Sequence, residues 1–273
     1  ADAPPPPPGR LVNLSTRGNV AFLGDSLTVG FNISGTAQAT LLIRGIGPGL
    51  APFGLTGTLA DPRLRVYRGS ELVGENDNWG GVASTSAVMA SVGAFAFTAP
   101  NSRDAAISLP SLASGANSAK ISGTGAGTVI AELYDATPAG QFLATTPRLI
   151  NVSVRKHLGS GITMGFVVGG ATPAKVLVRG IGPTLGAFGV PGTVVDPQLT
   201  LFNASSVKIG ENNDWAGTAE LTAAFANVGA FALPATSKDA ALLVTLAPGN
   251  YTAQVAGVNG TTGVALVEVY EVP

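Results

Sequence analysis

The sequence contains no cysteine and only one histidine, and these absences exclude several kinds of functional site. Without cysteine the chain has no disulfide, no thiolate zinc site and no cysteine nucleophile. A single histidine excludes a metal centre built from several imidazole ligands. Any chemistry of this protein must therefore use other residue types.

Charged residues are also scarce. The chain has 15 Lys and Arg against 16 Asp and Glu, a net charge of −1, and only 11% of its residues are charged. Soluble domains usually carry about 25% charged residues. No basic stripe is present to neutralise phosphates, which argues against nucleic-acid binding. Near-zero net charge favours association, so the composition suits either a surface occupied by contacts between copies or an ordinary extracellular domain.

Long apolar runs are missing as well. No stretch approaches the roughly 18–20 apolar residues that cross a bilayer, although 45% of the residues are hydrophobic. The apolar residues form many short segments separated by 37 glycines and 19 prolines. Such segments are typical of an all-β protein, and we expect no transmembrane segment.

The first residues have the composition of an extended arm. Ala1, Asp2 and Ala3 precede a run of consecutive prolines, which resembles the N-terminus left after export of a secreted protein. Consecutive prolines form a polyproline II rod that rises about 3.1 Å per residue. We therefore expect an arm that lies against another subunit instead of joining a core.

The rest of the chain is a tandem duplication. Seven short blocks recur in the same order: residues 10–13 as 148–151, 44–48 as 179–183, 61–62 as 196–197, 74–79 as 210–215, 92–95 as 228–231, 104–106 as 239–241, and 132–134 as 268–270. Each copy has the size of an independent domain. We predict a proline-rich arm over residues 1–9, a first domain over 10–135, a linker over 136–147 and a second domain over 148–273.

Strand patterns dominate both copies. Val29, Phe31 and Ile33 alternate with other residues, which predicts a half-buried strand. Turn residues between apolar runs predict one hairpin around residues 69–70 and another around residues 248–250. Only residues 84–92 and 218–228 have a helical pattern. The sequence therefore predicts an all-β fold of two tandem β-sandwich domains, jelly-roll-like, each with about one short helix.

One series of motifs in the second repeat carries a family resemblance: Asp196-Pro197, residues 199–202, residues 210–214, and residues 248–252 leading to Val255. This series resembles the bacterial pre-peptidase C-terminal family, whose members are secreted β-sandwich modules appended to extracellular enzymes and surface proteins. The resemblance is clearest over the latter half of each repeat. It implies a non-catalytic extracellular module.

One segment also resembles an enzyme motif. Residues 20–28 run into Gly-Asp-Ser-Leu, which resembles the nucleophile block of GDSL-type ester hydrolases, with Ser26 as nucleophile and Asn76 as an oxyanion donor. That family uses a histidine preceded by an aspartate three residues earlier, whereas Val154 stands three residues before His157. The chain also has too few helices for the hydrolase fold. We therefore expect no enzymatic activity and rank the esterase interpretation third.

Asp and Asn side chains cluster at one turn in each repeat. The residues are Asp77 and Asn78 in the first repeat, and Asn213 and Asp214 in the second. Their oxygens are suitable ligands for calcium. The same side chains also stabilise turns by bonding their own backbone. We favour the turn interpretation and expect no cofactor, with calcium as the alternative.

Trp79 and Trp215 directly follow these turns. An exposed tryptophan could stack on a sugar ring, but a lone tryptophan in a small sandwich more often covers the edge of the core. We favour the core interpretation and expect His157 to lie on the surface. Charged residues shared by both repeats are expected to form structural ion pairs: Arg44, Arg179, Asp61, Asp196, Glu132 and Glu268.

These patterns together predict a secreted or surface-displayed structural protein that assembles with copies of itself into a filament or layer. The expected mechanism is addition of the arm and first strand to the sheet edge of a neighbour. The residues expected at this contact are Pro4, Pro5, Pro6, Pro7, Pro8, Leu11, Val12 and Leu14. The alternative is an adhesive module that binds surface glycans.

Overall fold

A computed structural model describes residues 6–143, 145–159 and 161–273. The chain divides into two compact units. The first unit consists of residues 12–149, and the second combines residues 150–273 with the N-terminal segment that ends at Leu11. The arm ahead of the first repeat therefore belongs to the unit built from the second repeat. The domain boundaries inferred from the duplication itself stay a prediction.

The first unit is a β-sandwich. Its strands in chain order are β1 (Arg10–Val20), β2 (Leu27–Ile33), β3 (Ala39–Ile46), β4 (Pro62–Arg68), β5 (Glu71–Asn76), β6 (Ala105–Leu112), β7 (Gly115–Gly123) and β8 (Gly127–Asp135). One sheet has the order β1-β8-β3-β6 and the other β2-β7-β4-β5. All these pairings are antiparallel.

The second unit repeats this topology. Its strands are β9 (Leu149–His157), β10 (Ile162–Gly169), β11 (Ala174–Ile181), β12 (Pro197–Asn203), β13 (Lys208–Asn212), β14 (Ala240–Leu246), β15 (Gly249–Gly257) and β16 (Val264–Val272). The sheet orders are β9-β16-β11-β14 and β10-β15-β12-β13, again antiparallel. The prediction of an all-β fold of two sandwiches is confirmed.

The predicted alternation places the core. Val29, Phe31 and Ile33 of β2 are buried. Thr28, which points to the other face of the strand, is exposed. A strand with this pattern buries one face against the opposite sheet and leaves the other face toward solvent. Burying such side chains supplies the main favourable free energy of folding.

Each unit carries one short α-helix among its described residues, α1 (Ala83–Ser91) and α2 (Ala219–Asn227). These bounds lie within one residue of the predicted helices at each end. In α2, the hydroxyl of Thr218 accepts a hydrogen bond from the amide of Leu221 at 3.3 Å, which caps the helix. None of the helices in the described residues is long and apolar enough to cross a membrane.

One predicted hairpin is present and the other is wrong. Strands β4 and β5 pair with each other across Gly69-Ser70, as predicted. By contrast, β14 pairs with β11 in one sheet, whereas β15 pairs with β10 and β12 in the other. The turn at Pro248 therefore carries the chain from one sheet to the other. A turn between two apolar runs can join two strands that pair with each other or two strands that lie in different sheets. Here β14 and β15 pair with distant strands, so the turn joins the two sheets.

Candidate functional site

The second unit binds the end of the arm through backbone atoms. The amide of Ala171 donates to the carbonyl of Pro7 at 2.9 Å. The amide of Gly9 donates to the hydroxyl oxygen of Thr172 at 2.9 Å. Both partners lie in the loop between β10 and β11. We call this loop and the first residue of β11, residues 170–174, together with Glu271 of β16, the arm site.

Two glycines allow the close approach of the arm to this loop. A Cβ atom on Gly9 would collide with the carbonyl oxygen of Thr172, and one on Gly170 would collide with the carbonyl of Pro8. Gly170 also has φ +92°, a conformation that other residues rarely adopt. The site therefore recognises an extended backbone at short range.

The arm continues from this loop into the core. The amide of Leu11 donates to Oε2 of Glu271 at 3.2 Å, and Leu11 is fully buried. Burial of one leucine side chain contributes about 1.5–3 kcal/mol. The end of the arm and Leu11 are thus an integral part of the second unit.

The predicted assembly residues divide into three groups. Pro4 and Pro5 lie outside the described residues. Pro6 is exposed, while Pro7, Pro8 and Val12 are half-buried. Leu11 and Leu14 are buried core residues, so they offer no free surface to a neighbour while the arm is docked.

The first unit binds the segment that precedes the second repeat in the equivalent way. The amide of Ser34, in the loop between β2 and β3, donates to the carbonyl of Arg148 at 2.9 Å. A Cβ on Gly35 would lie 3.5 Å from Cα of Pro147. The segment that leads into each repeat is therefore bound by the loop between the second and third strands of the other repeat.

A buried ion pair joins two neighbouring strands of the first unit. Arg44 of β3 stands directly opposite Glu132 of β8, and its Nε and Nη2 atoms donate to Oε2 of Glu132 at 2.9 and 2.5 Å. Nη1 donates to the carbonyl of Phe95 at 2.6 Å, and the hydroxyl of Tyr134 donates to the same carboxylate at 2.9 Å. We call this group the arginine cluster. Each charge in it has a partner, which offsets the cost of burial.

The second unit contains the same cluster. Arg179 donates through Nε and Nη2 to Glu268 at 2.9 and 2.6 Å, and through Nη1 to the carbonyl of Phe231 at 2.7 Å. The hydroxyl of Tyr270 donates to the other oxygen of Glu268 at 2.9 Å. Arg44 and Arg179 thus form structural ion pairs, as predicted, and the structure identifies Glu132 and Glu268 as their partners. Asp196 instead pairs at the surface with Lys238 at 2.6 Å, and Asp61 likewise pairs with an arginine, Arg103, at 2.9 Å.

An aromatic pair, with one half-buried and one exposed ring, lies beside each arginine cluster. The guanidinium of Arg44 lies 4.3 Å from the ring centre of Phe95, and Phe53 meets that ring edge to face at 4.9 Å and 63°. In the second unit Phe188 meets Phe231 at 4.8 Å and 62°. Phe53 and Phe188 are 58% and 61% exposed. We call each pair an aromatic platform.

A buried aspartate fixes the short 3-10 helix that carries each exposed phenylalanine. Asp104 is fully buried, and its Oδ1 accepts from the amides of Gly47 and Gly49 at 2.7 and 3.0 Å, at the start of the helix Pro48–Phe53. Asp239 likewise accepts from Gly182 at 2.7 Å. These carboxylates satisfy the free amides of the helix start from a distant part of the chain.

The aromatic platforms and the capping role of the two aspartates were not predicted from the sequence. The aspartates belong to a repeated block, residues 104–106 and 239–241. Phe53 and Phe188 are each followed by glycine at equivalent positions, which is a repeat outside the seven blocks. This recurrence could have drawn attention to the two phenylalanines. It could not have shown that their side chains are exposed.

The tyrosines of the arginine clusters predict a loss of stability at alkaline pH. Burial raises the pKa of Tyr134 and Tyr270 above the ordinary value of about 10, and the adjacent glutamate raises each pKa further. The unfolded chain therefore loses these protons first, so stability is complete below about pH 10 and falls as pH rises above it. The fall is expected to approach about 1.4 kcal/mol per pH unit for each tyrosine.

This alkaline loss can be measured by urea unfolding between about pH 9 and pH 12. The double variant Tyr134→Phe with Tyr270→Phe is expected to show a smaller pH dependence, although it starts from lower stability. An unchanged pH dependence in that variant would contradict the assignment.

Residues 21–26 of the esterase motif form the turn between β1 and β2, where Ser26 is half-buried, whereas Asn76 lies at the end of β5. The carboxylate of Asp25 accepts from the amides of Ala21 and Ser26, both at 2.7 Å, so this aspartate holds the turn. His157 is exposed at the end of β9, and its Nδ1 accepts from the amide of Gly159 at 3.3 Å. The all-β fold differs from the helix-covered parallel sheet of that hydrolase class. Absence of enzymatic activity stays a prediction.

Each candidate calcium turn is held by one asparagine, Asn76 in the first unit and Asn212 in the second. Asn76 is also the residue considered above as an oxyanion donor. Asn76 donates to the carbonyl of Asn78 at 3.0 Å and accepts from the amide of Ala106 at 3.0 Å. Asn212 makes the equivalent bonds to Asp214 and from Ala241. In the described residues no group of three or more His, Asp or Glu is arranged to hold a metal. Calcium binding through Asp77, Asn78, Asn213 and Asp214 stays untested.

Trp79 and Trp215 are core residues. They are 7% and 3% exposed and pack in the clusters that contain α1 and α2. Their indole nitrogens donate to the carbonyls of Ala99 at 3.1 Å and Pro234 at 2.9 Å. Neither ring offers a face for stacking on a sugar, so the glycan-stacking alternative for these two residues does not fit the structure.

Comparison with known proteins identifies no family for this chain. No protein-family model and no curated protein matches it. Among solved structures, a mutant of the lectin binding domain of lectinolysin complexed with Lewis b is 8% identical with a TM-score of 0.23, over 43% of this chain and 70% of that one. An Arthrobacter globiformis T6 isomalto-dextranase complexed with panose is 13% identical with a TM-score of 0.23, over 93% and 36%.

A lectin from Pleurotus ostreatus in complex with GalNAc is 9% identical with a TM-score of 0.18, over 96% of this chain and 73% of that chain. Likenesses at this level carry no argument about function. The resemblance to the pre-peptidase C-terminal family stays a prediction.

Proposed function

We propose that this protein is a non-catalytic, extracellular structural subunit whose copies join when the arm of one copy occupies the arm site of another. The observation that carries the proposal is the docked arm. Its contacts with residues 170–174 are one hydrogen bond between main chains, one from the amide of Gly9 to the hydroxyl of Thr172, and close glycine approaches. The arm of a second copy is chemically identical, so the site has no means of distinguishing it from the chain's own arm.

Exchange of an identical element between copies is a low-cost route to association. Each chain has one arm and one arm site, so a copy that donates its arm to a neighbour can accept an arm from another. Such a head-to-tail contact closes into a ring or continues as a filament. The low charge, 11% of residues with a net charge of −1, adds little repulsion between copies.

A variant of one glycine tests this mechanism. Gly9→Val is expected to abolish assembly, because its side chain collides with Thr172 in the chain's own arm site and in that of a neighbour. Gly125→Val is the matched control, since a Cβ there meets nothing within 4 Å. Electron microscopy and light scattering of concentrated protein measure the result. Assemblies that persist unchanged in Gly9→Val would contradict the proposal.

The absence of native cysteine allows a direct test of exchange between copies. One preparation carries Pro7→Cys and another carries Ala171→Cys, two residues joined by a backbone hydrogen bond. A disulfide between these positions can form only between different copies once the preparations are mixed. We expect a two-chain band on a non-reducing gel. Its absence under oxidising conditions at high concentration would rule out arm exchange.

A further inference from the structure

Cationic side chains that are scattered along the sequence lie together on one sheet of the first unit. In β4, Arg63, Arg65 and Tyr67 are exposed or half-buried and alternate with buried residues, so they share the face that points away from the core. Lys120 of β7 stands directly opposite Arg65 in the antiparallel pairing and therefore lies on the same face. We call these four residues the cationic face.

The cationic face carries more positive charge than its acidic neighbour balances. Glu75 of β5 stands opposite Arg65. Its Oε1 atom accepts from Nε of Arg63 and lies 3.4 Å from Nε of Arg65. Lys120 forms no ion pair with any residue that the structure describes. Like charges directly opposite one another destabilise a sheet, so an anion bound between Arg65 and Lys120 would remove a repulsion that the free protein contains.

The second unit has the same strands without these cations. At the three cationic positions it has neutral residues, Gln198, Thr200 and Gln254. Thr200 and Gln254 stand directly opposite each other, as Arg65 and Lys120 do in the first unit. The fold therefore forms without cations at these positions, whereas the buried arginine cluster is present in both units. The cations of the first unit need an explanation other than stability.

The other side chains on this face suit a sugar chain. Three small hydroxyl residues stand opposite members of the cationic face: Thr28, Ser118 and Ser122. Hydroxyl groups both donate to and accept from the hydroxyls of a sugar. The half-buried ring of Tyr67 combines an apolar surface with a polar tip, which suits the two kinds of surface on a sugar ring.

The charged groups on this face suit a carboxylate or a sulfate. Arginine donates two parallel hydrogen bonds to a planar carboxylate or to a tetrahedral oxyanion. Nucleic acids are bound through many phosphates at once, which three cations beside a glutamate do not provide. We propose that the cationic face binds an acidic polysaccharide, with a carboxylate or sulfate group between Arg65 and Lys120.

Chromatography of the full chain tests this binding. The probes are immobilised heparin, a sulfated polysaccharide, and immobilised polygalacturonate, a carboxylated one. We expect the protein to be retained by at least one of them at low ionic strength and to elute as salt is raised, because salt screens interactions between exposed charges. A column of dextran, which carries no charge, is expected to retain nothing.

The second unit supplies the residues for a matched variant. Arg65→Thr with Lys120→Gln installs the residues found at the equivalent positions of the second unit. It is expected to weaken binding of the retained polysaccharide in solution by about tenfold or more, because two charge-assisted contacts are lost. Lys208→Gln with Lys238→Gln is the charge-matched control, since both lysines are exposed in the second unit, and it should keep its affinity. Urea unfolding verifies that each variant is folded.

Several results would overturn the inference: no retention on either polysaccharide, unchanged affinity in Arg65→Thr with Lys120→Gln, or an equal loss in the lysine control. Single-stranded DNA that binds as tightly as the polysaccharides would also overturn it, because the face would then attract any polyanion. The cationic face shares no residue with the arm or the arm site. A failed exchange test therefore leaves this inference standing, and absence of polysaccharide binding does not contradict arm exchange.

Discussion

Replacing Arg179 by methionine is expected to lower the free energy of unfolding of the second unit by about 3–5 kcal/mol. The replacement leaves Glu268 buried without its cation, and the carbonyl of Phe231 loses its donor. Methionine fills much of the same volume, so the loss is mainly electrostatic. Removal of one partner of a buried pair costs far more than the pair contributes relative to an apolar replacement.

Urea unfolding measures this loss through the fluorescence of Trp215, which belongs to the same unit, in a Trp79→Phe background. Lys238→Met is the matched control, because the pair of Lys238 with Asp196 is exposed at the lysine. Exposed pairs contribute at most about 1 kcal/mol. The double variant Arg179→Met with Glu268→Leu is expected to recover much of the stability. A loss below about 1 kcal/mol for Arg179→Met alone would contradict this prediction, because it would mean that the carboxylate of Glu268 is solvated once the arginine is removed.

Asp239→Ala is expected to destabilise the same unit by about 2–4 kcal/mol. The carboxylate accepts from the amide of Gly182 at 2.7 Å and from the hydroxyl of Thr184. Alanine leaves these buried donors without a partner, and each such donor costs about 1–3 kcal/mol. The start of the helix that positions Phe188 is released at the same time.

The matched variant Asp239→Asn separates hydrogen bonding from charge. Asparagine keeps one side-chain oxygen for the amide of Gly182, so its loss should be smaller than that of alanine. Asp214→Ala, at an exposed turn position, is the control and should change stability by less than about 0.5 kcal/mol. Equal losses for alanine and asparagine would contradict the capping role.

The features that sequence analysis predicted correctly depend on neighbouring residues. The alternation of Val29, Phe31 and Ile33 specifies which face of β2 is buried, whatever strand lies beside it. The two helices and the Gly69-Ser70 hairpin also follow from local periodicity and turn residues. Arg44 and Glu132 could be proposed as partners because both recur in the second repeat.

The predictions that were wrong or missing concern features that depend on contacts between distant segments of the chain. The turn at Pro248 has the residues of a hairpin, but β14 obtains its hydrogen bonds from β11 and not from β15. Phe53 and Trp79 are both aromatic residues near turns, yet the tryptophan is buried and the phenylalanine is exposed. The difference depends on which side chains pack around each ring, and these come from other strands.

The sequence by itself determined the all-β class, the duplication and the places of the helices, because composition, repeats and periodicity are properties of the chain alone. The tertiary structure decided that the arm belongs to the unit of the second repeat and that Phe53 and Phe188 are exposed. Gly9 bonds to a residue 163 positions away, and Gly47 to one 57 positions away. Contacts over such separations form only when the whole fold brings the segments together, so no local pattern contains them.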